Sequence, residues 1–437
     1  MRPKFLFLFL FILSFWNITA SNTELEQHLK QLGFDSIRPI EFKSQRYEAA
    51  YELLLDQAVD HSNPSGQHFK QRIILRHRGY DRPTVMVTEG YAADYAFWPN
   101  YDEEIAVALD ANLVVVEHRY FGKSKPEPLQ WKQLNLQNAT ADLHHVNQTL
   151  KAIYPKAWVS TGISKGGQTT LYYRYFYPDD VTASVPYVAP LNFSVADKRV
   201  YHFKDTVATA PCRQKLLALQ KDVLSRRNIF LPMFADSTQK RGMTFNKVGG
   251  IEKAFEYNVL EWGFAYWQWL PMGCENLPEP GGDANEIFKA FIAAAGYDFF
   301  EDESINDMQP FFYQALTEMG FYSYETKPFG QLLHLVDKPS FRHTLPEGVE
   351  AHYHPALSRK VNRWLKKSGN NILYVYGGYD AWASTAVQPG HKTNALKLVL
   401  QGGSHATRLR HFDSETREKA LQTLKNWVGY EPAGSTP

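Results

Sequence analysis

Cysteine is scarce in this chain, since only Cys212 and Cys274 occur among 437 residues, and a small scaffold held by many disulfides is therefore excluded. An excess of one charge sign is also missing, because 47 Lys and Arg residues are balanced by 46 Asp and Glu residues. With a formal net charge of +1 there is no broad basic field, so we expect no nucleic-acid partner. Metal-ligand spacings and Gly-rich phosphate-binding loops are absent too, and we expect no metal and no cofactor.

A long apolar run occurs at the N-terminus and is typical of an export signal. Arg2 and Lys4 form a basic start, Phe5–Trp16 is apolar, and Ile18-Thr19-Ala20 matches a cleavage site. This pattern predicts a signal peptide over residues 1–20 and a secreted or periplasmic protein. The alternative is an uncleaved anchor, which is disfavoured because the run is shorter than the roughly 20 residues that span a bilayer. We expect no stable membrane insertion after the signal is removed.

Export favours a disulfide between the two cysteines, because disulfides form and persist outside the reducing cytosol. We predict a bridge between Cys212 and Cys274. Two buried free thiols are the alternative.

Short apolar runs alternate with longer mixed segments, a rhythm that predicts a mostly parallel sheet flanked by helices. Alternating segments at 46–59 and 69–78 predict two antiparallel strands that open the sheet. The predicted buried strands are Pro83–Thr88, Asn112–Val116, Ala157–Thr161, Val181–Ala189, Ile372–Tyr376 and Leu396–Leu400. Apolar spacing predicts a helix around 143–153 and a last helix around 420–428.

The strand rhythm stops between the two halves of this pattern. We predict a first catalytic part over 21–190, an inserted and mainly helical cap over 191–367, and a second catalytic part over 368–437. Four aromatic residues crowd one short stretch of the cap: Trp262, Tyr266, Trp267 and Trp269. They are interpreted as cap core, with the wall of a substrate cleft as the alternative.

The sharpest local motif is Gly162-Ile163-Ser164-Lys165-Gly166-Gly167, which follows a predicted strand and precedes a helical segment. A strand that turns into a helix within a few residues needs small neighbours around a strained position, and it leaves the serine hydroxyl exposed. This context predicts a nucleophile elbow with Ser164 as the nucleophile.

Two further residues complete the order Ser, Asp, His that is characteristic of the α/β-hydrolase fold. Asp380 and His405 each follow one of the last two predicted strands, next to a Gly-Gly pair. We therefore predict a catalytic triad in which His405 takes the proton of Ser164 and Asp380 orients the imidazole. His391 and His411 are fallback bases in less suitable positions.

The oxyanion hole of this fold uses the N–H after the nucleophile and one from the loop after an early strand. These are the backbone N–H groups of Lys165 and Tyr91. Glu89 lies beside them, where its carboxylate could hold a substrate ammonium group. A buried structural acid paired with Arg119 is the equal alternative.

Several motifs together resemble the secreted bacterial prolyl tri/tetrapeptidyl aminopeptidases, which are related to the lysosomal Pro-X carboxypeptidases. They are Thr88-Glu89-Gly90, the run from Val116 to Ser124 that contains Glu-His-Arg-Tyr-Phe-Gly, the Ser164 motif, Gly377-Gly378-Tyr379-Asp380-Ala381-Trp382 and Gly403-Ser404-His405. A lysine after the nucleophile, here Lys165, resembles the bacterial branch of the family. The relatives commonly have Asp-Pro-Trp at the catalytic acid, whereas this chain has Ala381 in place of the proline. The resemblance implies cleavage of peptide substrates after proline near a free N-terminus, with aromatic residues at the proline ring. Glu89 and Trp382 are the candidate substrate-binding residues.

The predicted function is thus that of a secreted serine exopeptidase acting through an acyl-enzyme. An esterase or lipase on the same fold is the first alternative. A non-catalytic binding protein descended from a hydrolase is the second, and the intact set of triad residues disfavours it.

Overall fold

A nine-stranded sheet forms the centre of the computed structural model, which describes residues 23–270 and 272–430. The strands are β1 (Ser36–Pro39), β2 (Ala49–Ala58), β3 (His68–His77), β4 (Thr84–Thr88), β5 (Asn112–Val116), β6 (Trp158–Ile163), β7 (Ala183–Tyr187), β8 (Leu373–Gly377) and β9 (Leu396–Leu400). Their spatial order is β1-β2-β3-β5-β4-β6-β7-β8-β9. The first three strands pair antiparallel and β4 to β9 pair parallel, as expected for an α/β-hydrolase.

The described helices lie on both faces of this sheet and in the segment between β7 and β8. They are α1 (23–31), α2 (Glu104–Ala108), α3 (Leu136–Lys151), α4 (Lys165–Phe176), α5 (Arg199–Thr206), α6 (Ala210–Ser225), α7 (Arg227–Gln239), α8 (Ile251–Trp269), α9 (Ala284–Ala295), α10 (Asp302–Gln314), α11 (Ala356–Ser368) and α12 (Ser414–Val428). The predicted signal peptide at 1–20 lies outside the described residues.

Two apolar layers explain why the central strands are buried from end to end. Val85 and Val87 of β4 point to the layer that α2 and α12 cover, whereas Met86 between them points to the layer of α1 and α3. Successive side chains of a strand alternate between faces, so a strand covered on both sides needs apolar residues at every position. The continuous apolar runs in the sequence follow from this arrangement.

The predicted strands agree closely with the observed ones. Asn112–Val116 and Leu396–Leu400 match β5 and β9 residue for residue, and the prediction for β4 ends correctly at Thr88. The other predicted strand ends are displaced by one to three residues. β1 was not predicted, because its four residues are too few to show a pattern. α3 starts earlier than its apolar spacing suggested, since the side chain of Asn135 caps it by accepting the Asn138 N–H.

The segment between β7 and β8 is mainly helical, and α8 lies at its centre. Trp262, Tyr266 and Trp267 of α8 are buried, whereas Trp269 is 51% exposed. The aromatic cluster is therefore cap core at three positions and accessible at the fourth. The domain boundaries at 190/191 and 367/368 stay predictions, and the second of them falls inside α11, which packs against α4.

Cys212 of α6 is bonded to Cys274, which follows α8, so the predicted disulfide is confirmed. It ties two helical segments of the cap across 62 residues of chain. Among residues 23–270 and 272–430, no helix is long and apolar enough to cross a membrane.

Replacing both cysteines by serine is expected to lower the free energy of unfolding of the protein by about 4 kcal/mol, because the unfolded chain regains the entropy of a long loop. A urea titration followed by tryptophan fluorescence measures this change, since Trp262 and Trp267 are buried in α8. Reduction of the unmodified protein should shift the midpoint in the same direction. An unchanged midpoint in both experiments would contradict the role assigned to the bridge.

Candidate active site

Ser164 lies at the turn between β6 and α4, with φ 57° and ψ −119°. A positive φ is costly for a residue with a side chain, and such strain is typical of functional positions. Two backbone hydrogen bonds hold the turn: the Ser164 N–H donates to the Tyr187 carbonyl at 2.9 Å, and the Gln168 N–H donates to the Ser164 carbonyl at 2.9 Å. The predicted nucleophile elbow therefore has the expected backbone geometry.

The glycines around Ser164 are required by close packing. A Cβ atom on Gly162 would lie 2.4 Å from the Gly166 carbonyl oxygen, and one on Gly167 would lie 2.7 Å from the Cβ of Ala189. A Cβ on Gly166 would lie 2.9 Å from the Thr88 carbonyl oxygen. The first turn of α4 thus approaches the neighbouring strands more closely than any side chain would allow.

Asp380 and His405 are brought together at the carboxyl ends of β8 and β9, as parallel strands require. His405 Nδ1 lies 2.7 Å from Asp380 Oδ2, and both side chains are buried. The Trp382 N–H donates to Asp380 Oδ1 at 3.1 Å, which orients the carboxylate. The His405 N–H donates to the Gln268 carbonyl at 2.8 Å, so the cap also holds the histidine loop.

The other ring nitrogen of His405, Nε2, is buried and makes no hydrogen bond to any described residue. It is therefore not bonded to the Ser164 hydroxyl in this structure, and such bonds in unliganded enzymes often form only when substrate binds. The rings of His405 and Trp269 pack in a T-shaped arrangement, with the centroids 5.4 Å apart. The fallback His411 has a different role, since its Nδ1 accepts the Arg408 N–H at 3.1 Å.

The loop that carries Tyr91 is braced by the Glu-His-Arg-Tyr-Phe-Gly motif. The buried carboxylate of Glu117 accepts the Ala93 N–H at 3.1 Å and the Ser124 N–H at 3.1 Å, and it pairs with Arg72. The His118 N–H donates to the Tyr91 carbonyl at 3.1 Å. Sequence reasoning used this motif only as a family signature, whereas in the fold it supports the predicted oxyanion loop.

Glu89 and Arg119 do not pair, so that part of the prediction is wrong. Arg119 donates to both carboxylate oxygens of Asp142, at 2.6 and 2.7 Å, because it lies on the α3 side of the sheet. Glu89 instead accepts hydrogen bonds from the Tyr95 hydroxyl and the Gly90 N–H. Burial raises the pKa of Glu89, and the hydrogen bond from Tyr95 opposes that shift.

A cavity of about 390 Å³ opens above Ser164, between the sheet and the cap. This volume lies within the range of small-ligand sites. Residues from the loops of the sheet and from the segment between β7 and β8 line this cavity. Among them are Tyr91, Ser164, Lys165, Glu261, Trp269, Phe321, Tyr322 and Trp382.

Glu261 of α8 is the residue of this cavity that sequence reasoning missed. The hydroxyl groups of Tyr322 and Tyr324 donate to its Oε2 at 2.7 and 2.5 Å, and no described residue donates to Oε1. Burial raises the pKa of Glu261 to about 7. Nothing in the sequence marks this acid, since it lies within an apolar helix and its tyrosine partners are more than 60 residues away.

Trp382, which was predicted to contact substrate, lines the cavity in an aromatic group. Its ring centroid lies 5.2 Å from that of Phe264 and 5.3 Å from that of Tyr322. The edge-to-face arrangement of these rings packs them without a polar group in between. One wall of the cavity is therefore formed by packed aromatic rings.

Comparison with known proteins agrees with this geometry, because the model of the PS-10 peptidase S37 family matches residues 27–436. The chain belongs to the peptidase S37 family. It is 30% identical to the prolyl tri/tetrapeptidyl aminopeptidase of Streptomyces mobaraensis over 422 residues, which are 95% of this chain and 87% of that one. It is 26% identical to the mouse lysosomal Pro-X carboxypeptidase over 200 residues, which are 42% of this chain and 40% of that one.

Among solved structures, the S37 peptidase resembles the proline iminopeptidase of Mycobacterium smegmatis, with a TM-score of 0.41 and 13% identity over 86% of this chain and 98% of that one. Family membership and the sheet topology together make this chain a serine peptidase of the α/β-hydrolase fold.

Substitution Gly90→Ala is expected to reduce kcat/KM of the S37 peptidase about 100-fold, since small misplacements in an active site have effects of this size. The new methyl group would lie 2.6 Å from Lys165 Cβ and 2.8 Å from the Gly166 nitrogen, so the Tyr91 loop or α4 must move. Gly66→Ala is the control, because the three atoms nearest to its Cβ would all belong to Asn63 in a surface turn far from the candidate site in the sequence. Equal kcat/KM values for Gly90→Ala and the control would contradict the close-packing argument.

Proposed function

We propose that this S37 peptidase is a secreted serine exopeptidase that hydrolyses the bond after proline near a free peptide N-terminus. The observation that carries the proposal is that Ser164 and the buried acid Glu261 line the same cavity. A nucleophile and a carboxylate in one aromatic-lined site suit a substrate that has a carbonyl at one end and an ammonium group at the other.

In the proposed reaction, the Ser164 hydroxyl attacks the carbonyl carbon of proline while His405 Nε2 takes its proton. Asp380 stabilises the resulting imidazolium through the bond to Nδ1, which is 2.7 Å long. The backbone N–H groups of Tyr91 and Lys165 hold the oxyanion. His405 returns the proton to the leaving amine, and water then hydrolyses the acyl-enzyme.

Glu261 is the proposed contact for the substrate ammonium group. Its Oε2 is occupied by two tyrosine hydroxyls, which leaves Oε1 for the ligand. Burial disfavours the charge of this carboxylate and the Lys204 ammonium group favours it, and a bound substrate ammonium group would favour it further. A role of Glu89 in the same contact stays a prediction.

The wall formed by Trp382 and Tyr322, with Phe264 packed behind them, is the proposed contact for the proline ring. Rigid aromatic faces suit an apolar ring that has little conformational freedom to lose on binding. The Streptomyces relative is a prolyl aminopeptidase and the mouse relative is a Pro-X carboxypeptidase, which supports this assignment.

Secretion is supported by the basic and apolar start of the chain together with the disulfide. Peptides outside the cytosol are then the substrates. Detection of a mature N-terminus near residue 21 in exported protein tests this part independently of catalysis.

Ser164→Ala is expected to reduce kcat about 10⁶-fold with the peptide amide Ala-Ala-Pro-amidomethylcoumarin, because the acyl-enzyme can no longer form. Release of the fluorescent amine measures the rate. Ser160→Ala is the matched control, since that serine lies on β6, the strand that leads to Ser164, but bonds to Ser184. Turnover by Ser164→Ala would overturn the nucleophile, whereas equal cleavage of free and N-acetylated substrate would overturn only the exopeptidase assignment.

The preference for free over N-acetylated substrate is expected to be greatest between pH about 7 and about 8. Above about 7 Glu261 is ionised and attracts the ammonium group, and below it the carboxyl is protonated and the attraction is lost. Above about 8 the substrate amine itself becomes neutral. The ratio of kcat/KM for the two substrates measures this preference, because effects of pH on steps that the two substrates share cancel in the ratio.

Glu261→Gln should lower that ratio at least about tenfold and remove its dependence on pH near 7, since a neutral amide cannot replace the ion pair. Glu318→Gln is the control, because burial also raises the pKa of Glu318 to about 7 but its carboxylate accepts the Leu136 N–H of α3. A ratio in Glu261→Gln equal to that of the control would contradict the ammonium site.

A further inference from the structure

Lys165 is buried, with only 1% of its surface exposed, although it directly follows the nucleophile. Its Nζ donates to the Gly90 carbonyl at 2.6 Å. The stem of the side chain packs so closely on Gly90 that a Cβ there would lie 2.6 Å from both Cβ and Cγ of Lys165. This contact selects glycine at position 90.

The Gly90 carbonyl belongs to the same peptide unit as the Tyr91 N–H. A trans peptide is planar, so its C=O and N–H point in opposite directions. A donor that fixes the carbonyl on one side therefore fixes the direction of the N–H on the other. A cationic donor also polarises the peptide, which strengthens the N–H as a hydrogen-bond donor.

The surroundings of Nζ are apolar and contain little charge. The rings of Tyr91 and Phe121 lie with their centroids 5.5 and 5.3 Å from Nζ, a distance suited to cation–π attraction. Two titratable groups interact electrostatically with Nζ. They are the carboxylate of Glu89, in the loop after β4, and the imidazole of His118, in the loop after β5. Within the described part of the chain, no carboxylate lies within salt-bridge distance of Nζ.

A buried amine with one acceptor and no close counter-ion is expensive for the fold. Methionine or leucine would fill the same space at lower cost, so packing alone does not explain a lysine here. We propose that Lys165 is a positioning residue, whose ammonium group holds and polarises the Gly90–Tyr91 peptide so that the Tyr91 N–H stabilises the oxyanion. This inference rests on the proposed function, in which Ser164 is the nucleophile.

Substitution Lys165→Met tests it, because methionine keeps most of the stem and removes the donor. Loss of one direct oxyanion donor lowers kcat by about 100- to 1000-fold, so loss of the group that orients it should lower kcat about 10- to 100-fold. KM should change less than threefold. Lys397→Met is the matched control, since Nζ of Lys397 also lies over an aromatic ring, 5.3 Å from the centroid of Tyr376, but on β9.

Binding measurements separate positioning from a folding defect. An N-terminally free tripeptide that ends in boroproline forms a tetrahedral adduct with Ser164 and should lose at least tenfold in affinity in Lys165→Met. The intact peptide substrate, bound to Ser164→Ala with and without Lys165→Met, should show the same affinity. Loss of both affinities, or of neither, overturns the positioning role.

The pH profile gives an independent readout. Burial holds the pKa of Lys165 well below its usual value of 10.5, and Glu89 opposes that shift. As the pH rises through that lowered pKa, the ammonium group loses its charge and kcat of the unmodified enzyme should fall. Lys165→Met should lack this alkaline fall, and a fall of the same size in the variant counts against the inference.

Failure of the two proposals is distinguishable. If Ser164→Ala retains turnover, the proposed function is wrong. If Ser164→Ala is inactive and Lys165→Met matches the unmodified enzyme, the inference about Lys165 alone is wrong.

Discussion

The first turn of α4 packs against the strand ends without room for a side chain, and the candidate site depends on this contact. Gly162, Gly166 and Gly167 each lie where a Cβ would meet backbone or a neighbouring Cβ within 3 Å. Because the turn is locked on both sides, Ser164 keeps a positive φ that it would not hold in an isolated peptide. The orientation of the serine above the sheet follows from this packing rather than from the serine itself.

A second constraint acts on the loop opposite the elbow. Glu117 is buried and joins this loop to β3 and to the turn before Ser124 through its hydrogen bonds and its ion pair with Arg72. A buried carboxylate is stable only when its oxygens are satisfied, so the network holds its members in one arrangement. The loop of Tyr91 and the first turn of α4 meet at Gly90 and Lys165, where the two constraints are coupled.

The cap supplies the remaining walls of the cavity, which consist of aromatic rings and one buried carboxyl group. Its aromatic rings form a continuous apolar group around Trp382, and Glu261 is the acid placed against that group. Burial raises the pKa of Glu261 to about 7, so the fold tolerates this carboxyl at a cost that a bound ammonium group would offset. Selectivity for peptide termini would thus arise from the inserted segment, and bond cleavage from the sheet.

Local pattern in the sequence determined the parallel strands, the elbow at Ser164, the order of Asp380 and His405, and the family. These features are readable because strand burial, tight turns and strand-end positions each impose residue types at short spacing. Only the tertiary structure decided that Arg119 pairs with Asp142 rather than Glu89, that Glu261 enters the cavity, and that the Lys165 amine reaches the Gly90 carbonyl. Each of these contacts joins residues far apart in the chain, and no short-range pattern encodes which distant partner a buried polar group will meet.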